Sequence, residues 1–135
     1  IQHDFNTSAL GDRIGLISGI NLVRIPSTDS IVKKIKQAAE TIKDTNTYIG
    51  AIASGDQFIC SENQKNYIVN NFGALCAEME GAAIGHVCYL NNVDFCIVRA
   101  ISDKADNSSH MDFPTFVQIA AKKSTILISN FLRNL

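Results

Sequence analysis

Apolar and polar residues follow two kinds of pattern along the chain, and each kind predicts one type of element. Over 29–43 the apolar residues return every three or four positions with lysines between them, which indicates an amphipathic helix. Residues 48–53 form a short apolar run that ends in Ser-Gly-Asp, which is typical of a buried strand entering a turn. The irregular segment 1–26 predicts a strand remnant, a loop and a second short strand.

The rest of the chain continues this alternation. Ser61 and Gln64 have the spacing of a capping box, which predicts a helix through Phe72 that Gly73 ends. Next come a predicted strand over 74–77, a helix over 80–91, a strand over 94–101 and a polar loop over 102–111. Asp112 is predicted to cap the last helix, whose apolar stripe consists of Phe116, Ala120, Leu127 and Phe131.

Strands that alternate with helices predict an α/β fold with a largely parallel sheet. Both faces of such a sheet are covered, which explains why the predicted strands are continuous apolar runs. Ligands bind such sheets at the carboxyl ends of the strands. Three turns are therefore candidates for a site: 54–59, 78–80 and 102–103.

Composition narrows the class of protein. The 135 residues fit one domain that is large enough to bury its own core. A net charge of −1 without a lysine or arginine cluster gives no support to nucleic-acid binding, and no apolar run is long enough to span a membrane. Only 19% of the residues are charged, which points either to a partner surface or to ordinary variation.

The four cysteines carry no zinc pattern, because none forms a C-x-x-C pair. Unpaired cysteines in apolar stretches favour a reducing, cytoplasmic location. The chain also lacks an initiator Met and a signal pattern, so we expect it to be processed or cut from a longer protein.

Glu78, Met79 and Glu80 lie at a predicted strand-to-helix junction. In an extended chain, carboxylates two residues apart point the same way, which suits the binding of sugar hydroxyls beside a methionine wall. The alternative is helix capping, because acids also favour the first turn of a helix.

Arg99 is a charged residue inside a predicted buried strand, and such a charge is costly unless it is paired. Glu78 or Glu80 is the expected partner. Asp103 lies just beyond the same strand, where a catalytic acid would belong, although a turn or an Asx cap explains an aspartate there too.

The three turns together resemble one family. Ala53-Ser-Gly-Asp-Gln-Phe-Ile59, Ala77-Glu-Met-Glu-Gly-Ala-Ala83 and Val98-Arg-Ala-Ile-Ser-Asp-Lys-Ala-Asp106 are similar to the 5′-methylthioadenosine/S-adenosylhomocysteine nucleosidases, a branch of the purine nucleoside phosphorylase superfamily. The resemblance implies a three-layer α/β sandwich with a mixed, largely parallel central sheet, and a homodimer. It also implies hydrolysis of the N-glycosidic bond of both nucleosides, without a cofactor or metal.

The resemblance also implies roles for individual residues. Asp103 would be the general acid that protonates purine N7, and Ser102 would orient it. At the base, the resemblance implies that Phe58 stacks on adenine and that the backbone of Ile59 binds the edge of the base. At the sugar, it implies that Glu80 binds the ribose hydroxyls and that Met79 packs on the ring. Glu78 and Arg99 would form a supporting pair, and Phe113 would border the alkylthio pocket.

These residue types suit the chemistry. Adenine leaves poorly until its ring is protonated, and general acid catalysis of this kind contributes roughly 10²–10⁴-fold. The sugar becomes oxocarbenium-like as the bond breaks, and a carboxylate at its hydroxyls stabilises that charge.

One departure from the family is large. The family's N-terminal part, which supplies the glutamate that activates water, is absent here, so residues 1–135 are expected to be a single partial nucleosidase domain without turnover of its own. Three alternatives stay open: a purine nucleoside phosphorylase, a nucleosidase for aminodeoxyfutalosine, and a non-catalytic truncated module that binds nucleosides.

Overall fold

The computed structural model describes residues 1–103 and 112–135; most of the predicted loop over 102–111, with Asp106 and His110, lies outside them. In chain order the elements are a 3₁₀ turn Ser8–Leu10, α1 Asp29–Glu40, β1 Ile52–Ser54, α2 Glu62–Phe72, β2 Cys76–Glu78, α3 Gly81–Leu90 and α4 Phe113–Arg133. Strands and helices alternate as predicted for an α/β fold.

Strands β1 and β2 pair in parallel, with Ala53 opposite Ala77 and Ser54 opposite Glu78. Each strand lies a little further along the chain than the apolar pattern predicted. Gln2 adds a parallel bridge to Ser54, so the first residues run alongside β1. The predicted strand remnant is thus a single bridge.

The sheet separates α2 from α3. Ala53 is fully buried in a core with Ile68 and Phe72 of α2. Ser54, the next residue, turns to the other face, where its hydroxyl accepts a hydrogen bond from the backbone N–H of Ala82 in α3. Because successive strand residues point to opposite faces, two helices cover the two sides of β1, which gives three layers locally.

A second core joins the first and last helices. Ala38 and Ala39 of α1 pack against Leu127 of α4, and the predicted stripe on α4 holds its more buried residues. The helix begins directly after Asp112, as predicted, although the Asp112 carboxylate accepts from the Thr115 hydroxyl instead of a backbone N–H. None of the helices in the described part of the chain has the length and apolarity needed to cross a membrane.

The capping box predicted for α2 is present. The Ser61 hydroxyl accepts from the N–H of Gln64, the Gln64 side chain accepts from the N–H of Ser61, and Gly73 ends the helix in the left-handed conformation. Residues close together in the sequence therefore define both ends of this helix, through a capping side chain at the start and a left-handed glycine at the end.

The strand predicted over 94–101 does not form. This segment has no ladder with β1 or β2 among the described residues; instead Phe95 exchanges hydrogen bonds with Thr28 at the start of α1. The ring of Phe95 also lies against Gly85 of α3, where an added Cβ would be 3.0 Å away. The apolar run thus reflects packing against a helix, since a strand additionally requires a hydrogen-bonded neighbour.

Candidate active site

A cavity of about 590 Å³ opens at the carboxyl ends of β1 and β2. Its walls come from the segments that follow the two strands, from one side of α2 and from 99–103. The volume lies within the usual range of ~300–1,000 Å³ for small-molecule sites. The cavity therefore lies at the edge of the sheet where the sequence predicted a site.

Eight of the nine predicted site residues line this cavity: Phe58, Ile59, Glu78, Met79, Glu80, Arg99, Ser102 and Asp103. The ninth, Phe113, is not among the lining residues. Its ring is 63% exposed and lies beside Phe116, with 6.3 Å between the ring centroids.

An exposed aromatic ring and a carboxylate mark one end of the cavity, which we call the base end (Phe58, Ile59, Ser102 and Asp103). Phe58 is 72% exposed, so one of its faces is free to stack on a planar ligand. The Ser102 hydroxyl donates a hydrogen bond of 2.7 Å to Oδ2 of Asp103. This bond restrains one oxygen of the carboxyl group.

The turn that carries Phe58 is held from behind by the first residues of the chain. Asp4 Oδ2 accepts a 2.6 Å hydrogen bond from the N–H of Asp56, and Oδ1 accepts one of 2.7 Å from the Gln2 side chain. Burial alone would raise the pKa of Asp4, but these hydrogen bonds lower it below its usual range. Gly55 is required here, because an added Cβ would lie 2.4 Å from His3 Nε2.

Acids and an arginine form the other end, the sugar end (Glu78, Met79, Glu80 and Arg99). The Glu78 carboxylate caps α3: it accepts from the N–H of Gly81 at 2.8 and 2.9 Å and from that of Glu80 at 3.1 Å. It also accepts from the Ser54 hydroxyl. Burial opposes ionisation of Glu78, but these bonds and Arg99 together hold its pKa below its usual range.

Arg99 pairs with both acids, as the sequence predicted. Its Nη2 lies 2.6 Å from Glu80 Oε2 and also binds Glu78 Oε2. Burial would lower the pKa of Arg99, but the two carboxylates raise it, so the guanidinium stays charged. Glu78 of the acidic turn (78–80) therefore caps the helix, whereas the binding of sugar hydroxyls by Glu80, whose side chain is 63% exposed, stays a prediction.

Several residues at the cavity were missed by the sequence reasoning. Lys65, Ile68 and Val69 of α2 and Leu75 and Cys76 beside β2 contribute to the wall. Burial raises the pKa of the Cys76 thiol, as does the nearby charge of Glu78. Ser54 was read only as part of a turn; its position at the carboxyl end of a buried strand was the available signal.

No histidine of the described residues lines the cavity. His3 is buried behind Gly55, and its Nε2 has no hydrogen-bond partner among residues 1–103 and 112–135. Over 1–103 and 112–135 the structure places no three His, Cys, Asp or Glu side chains where they could hold a metal ion.

Comparison with known proteins finds similarity over the whole chain. Residues 1–133 match the sequence profile of the Phosphorylase superfamily. The 5′-methylthioadenosine/S-adenosylhomocysteine nucleosidase of Geobacillus sp. (strain WCH70) is 36% identical over 136 residues, which are 100% of this chain and 58% of that protein. The chain thus spans little more than half the length of this curated relative.

Solved structures of similar proteins have the same fold. The futalosine hydrolase of Helicobacter pylori strain 26695 superposes with a TM-score of 0.89 at 33% identity, over 100% of this chain and 57% of that one. The Helicobacter pylori 5′-methylthioadenosine/S-adenosylhomocysteine nucleosidase (MTAN) was solved as an aspartate-to-asparagine mutant with 5′-methylthioadenosine in its active site. It gives a TM-score of 0.89 at 32% identity, over 100% of this chain and 58% of that one. The resemblance inferred from the three turns is confirmed.

Proposed function

This chain belongs to the phosphorylase superfamily, and from that premise we propose that the protein hydrolyses the N-glycosidic bond of 5′-methylthioadenosine and S-adenosylhomocysteine. The products are adenine and the thioribose. The observation that carries the proposal is that one cavity of nucleoside size brings together Phe58, Glu80 and Asp103. These supply a stacking surface, a carboxylate for hydroxyl groups and an acid.

At the base end, Asp103 is the general acid. It donates a proton to purine N7, which draws electrons from the glycosidic nitrogen as the bond breaks. The 2.7 Å hydrogen bond between Ser102 Oγ and Asp103 Oδ2 supports this role, because it orients the carboxyl group toward one position. Phe58 stacks on adenine, and the backbone of Ile59 reads the edge of the base.

At the sugar end, Glu80 binds the ribose hydroxyls and Met79 packs on the sugar. Glu80 suits this role because Arg99 holds it at 2.6 Å while most of its side chain stays exposed. Its charge also favours the oxocarbenium-like sugar that forms as adenine leaves. Glu78 supports the pair, and Phe113 is proposed to border the 5′ substituent.

Adenine release from 5′-methylthioadenosine in phosphate-free buffer tests this function. The material is the intact protein that contains this chain, with its mass verified. We expect adenine to appear without phosphate. Release that begins only after phosphate is added would instead identify a phosphorylase, and binding without release in either buffer would indicate a non-catalytic nucleoside-binding module.

The similarity to futalosine hydrolase makes aminodeoxyfutalosine a second candidate substrate. The two candidates share the adenine and the ribose and differ at the 5′ substituent. Comparing kcat/KM for the two substrates separates them, and a higher value for aminodeoxyfutalosine would overturn the preference for the methylthio compound.

We further propose that the protein is a cytoplasmic homodimer and that residues 1–135 alone do not turn over substrate. The relatives' greater length supports the second point, since the matched part is only 58% of the Geobacillus enzyme. Light scattering of the intact protein tests the dimer. Steady adenine release by a chain of verified 135-residue mass would contradict the expected inactivity.

A further inference from the structure

Ser54 contacts the acidic turn (78–80) but does not line the cavity. It is the last residue of β1 and is only 3% exposed. Its hydroxyl donates to Glu78 Oε1 and accepts a 2.7 Å hydrogen bond from the N–H of Ala82. Ser54 is not among the residues that line the cavity, and of the two partners of its hydroxyl Glu78 is the one that does.

The Glu78 side chain is only 8% exposed, and both of its carboxylate oxygens accept hydrogen bonds. The N–H groups of Glu80 and Gly81 and the Ser54 hydroxyl bind it on the helix side, and Arg99 binds it on the cavity side. Space is also tight, because a Cβ added at Gly81 would lie 2.9 Å from Glu78 Oε1. One orientation of this carboxylate is therefore selected.

Arg99 transmits that orientation to Glu80. A single guanidinium nitrogen, Nη2, contacts a carboxylate oxygen of each acid. Moving Glu78 therefore moves the cation that holds Glu80. The contacts form one continuous series from Ser54 through Glu78 and Arg99 to Glu80, and charge-assisted hydrogen bonds in such a series depend on one another.

We propose that Ser54 is a positioning residue for the sugar end, where it fixes Glu78 and thereby orients Glu80 toward the ribose hydroxyls. The inference rests on the proposed function in one respect, since it takes the ligand of Glu80 to be a ribose. Loss of the hydroxyl leaves Glu78 one partner short and leaves the buried N–H of Ala82 unsatisfied. Binding of the ribose is then weakened, whereas binding of the base is unchanged.

The test compares a nucleoside with its free base. Titration calorimetry on the intact protein measures the affinity for 5′-methylthioadenosine and for adenine, in an Asp103→Asn background so that the nucleoside is not consumed. Ser54→Ala should weaken nucleoside binding about tenfold, as expected for a lost hydrogen bond to a charged group, and leave adenine binding unchanged. Ser54→Thr, which keeps a hydroxyl, should restore much of the nucleoside affinity.

Ser61→Ala is the matched control. It removes another serine hydroxyl that accepts from a backbone N–H at a helix start, but among the described residues the Ser61 hydroxyl bonds only to Gln64 and has no hydrogen bond to Glu78. We expect both affinities to stay as in the parent protein. If Ser54→Ala does not fold, Ser54→Cys keeps the side-chain volume with a weak donor and provides the same comparison.

Three outcomes would overturn the positioning role. In the first, Ser54→Ala lowers the affinities for 5′-methylthioadenosine and adenine equally. In the second, it lowers neither affinity. In the third, the parent protein binds neither ligand. The proposed function fails separately, if the protein without the Asp103→Asn substitution releases no adenine.

Discussion

The two ends of the cavity are built differently. At the sugar end, the Glu78 carboxylate has partners from β1, the start of α3 and Arg99, and its side chain is 8% exposed. At the base end, Phe58 is 72% exposed on a turn that hydrogen bonds tie to Asp4, through the N–H of Asp56, and to β2, through the N–H of Gly55. A buried charge needs several partners to be tolerated, so the sugar end is ordered by the fold itself.

The largest effect is expected from Asp103→Asn at the base end. An amide cannot supply the proton to N7, so kcat should fall by roughly 10²–10⁴-fold while adenine binding persists. Steady-state kinetics and calorimetry measure the two quantities. Asp12→Asn is the control, because the Asp12 carboxylate accepts a hydrogen bond from Thr7 and does not line the cavity. Unchanged turnover in Asp103→Asn would show that Asp103 is not the general acid.

Phe58→Ala should weaken binding of adenine and of 5′-methylthioadenosine equally. Stacking on an aromatic ring contributes about 1–3 kcal/mol per base, so each affinity should fall by a similar factor. This is the opposite of the pattern expected for Ser54→Ala, which affects the nucleoside alone. Phe5→Ala is the control outside the cavity; a loss confined to the nucleoside in Phe58→Ala would show that Phe58 does not contact the base.

Gly55→Ala tests whether the base end is as tightly supported from behind as its contacts indicate. The new Cβ would lie 2.4 Å from His3 Nε2 and 2.8 Å from Asp4 Oδ2, so we expect the free energy of unfolding to fall by about 1–3 kcal/mol. Gly19→Ala is the control: its new Cβ would have no atom within 4 Å, and the free energy of unfolding should change by less than about 0.5 kcal/mol. Equal stabilities of the two variants in urea unfolding would refute the tight support.

The smallest effect is expected in the pH dependence of stability. The folded state holds the pKa of Glu78 below its ordinary value of 4.5, so the unfolded chain binds more protons than the folded one around and below that pH. The stabilisation is therefore complete above about pH 4.5 and is lost as the pH falls through the folded pKa. The difference in unfolding free energy between the native protein and Glu78→Gln should shrink on acidification; a constant difference would contradict the shift.

The sequence predicted those elements whose signals are local. The capping box of Ser61 and Gln64 predicts the start of α2, and Gly73 predicts its end, because those contacts join residues only three or four positions apart. Arg99 and the acidic turn were predicted to pair for a general reason, since a charge in an apolar segment requires a counter-charge. Both predictions needed residue chemistry and no knowledge of distant neighbours.

The strand predicted over 94–101 was wrong because an apolar run records burial and not the identity of the neighbour. Phe95 is covered by α3 and bonds to Thr28, and neither contact leaves a trace in the sequence around it. Ser54 was missed for a related reason. Its partner Glu78 is 24 residues away, and only the parallel register of β1 and β2 brings the two opposite each other.

By itself, the sequence determined the alternation of helices and strands, the caps of α2 and the three turns that carry the candidate chemistry, because each depends on side chains close together in the chain. Only the tertiary structure decided that these turns share one cavity, that Glu78 is buried while Glu80 is exposed, and that Ser54 and Asp4 support them. Those properties depend on contacts between segments far apart in sequence, and the packing of helices against the sheet sets such contacts.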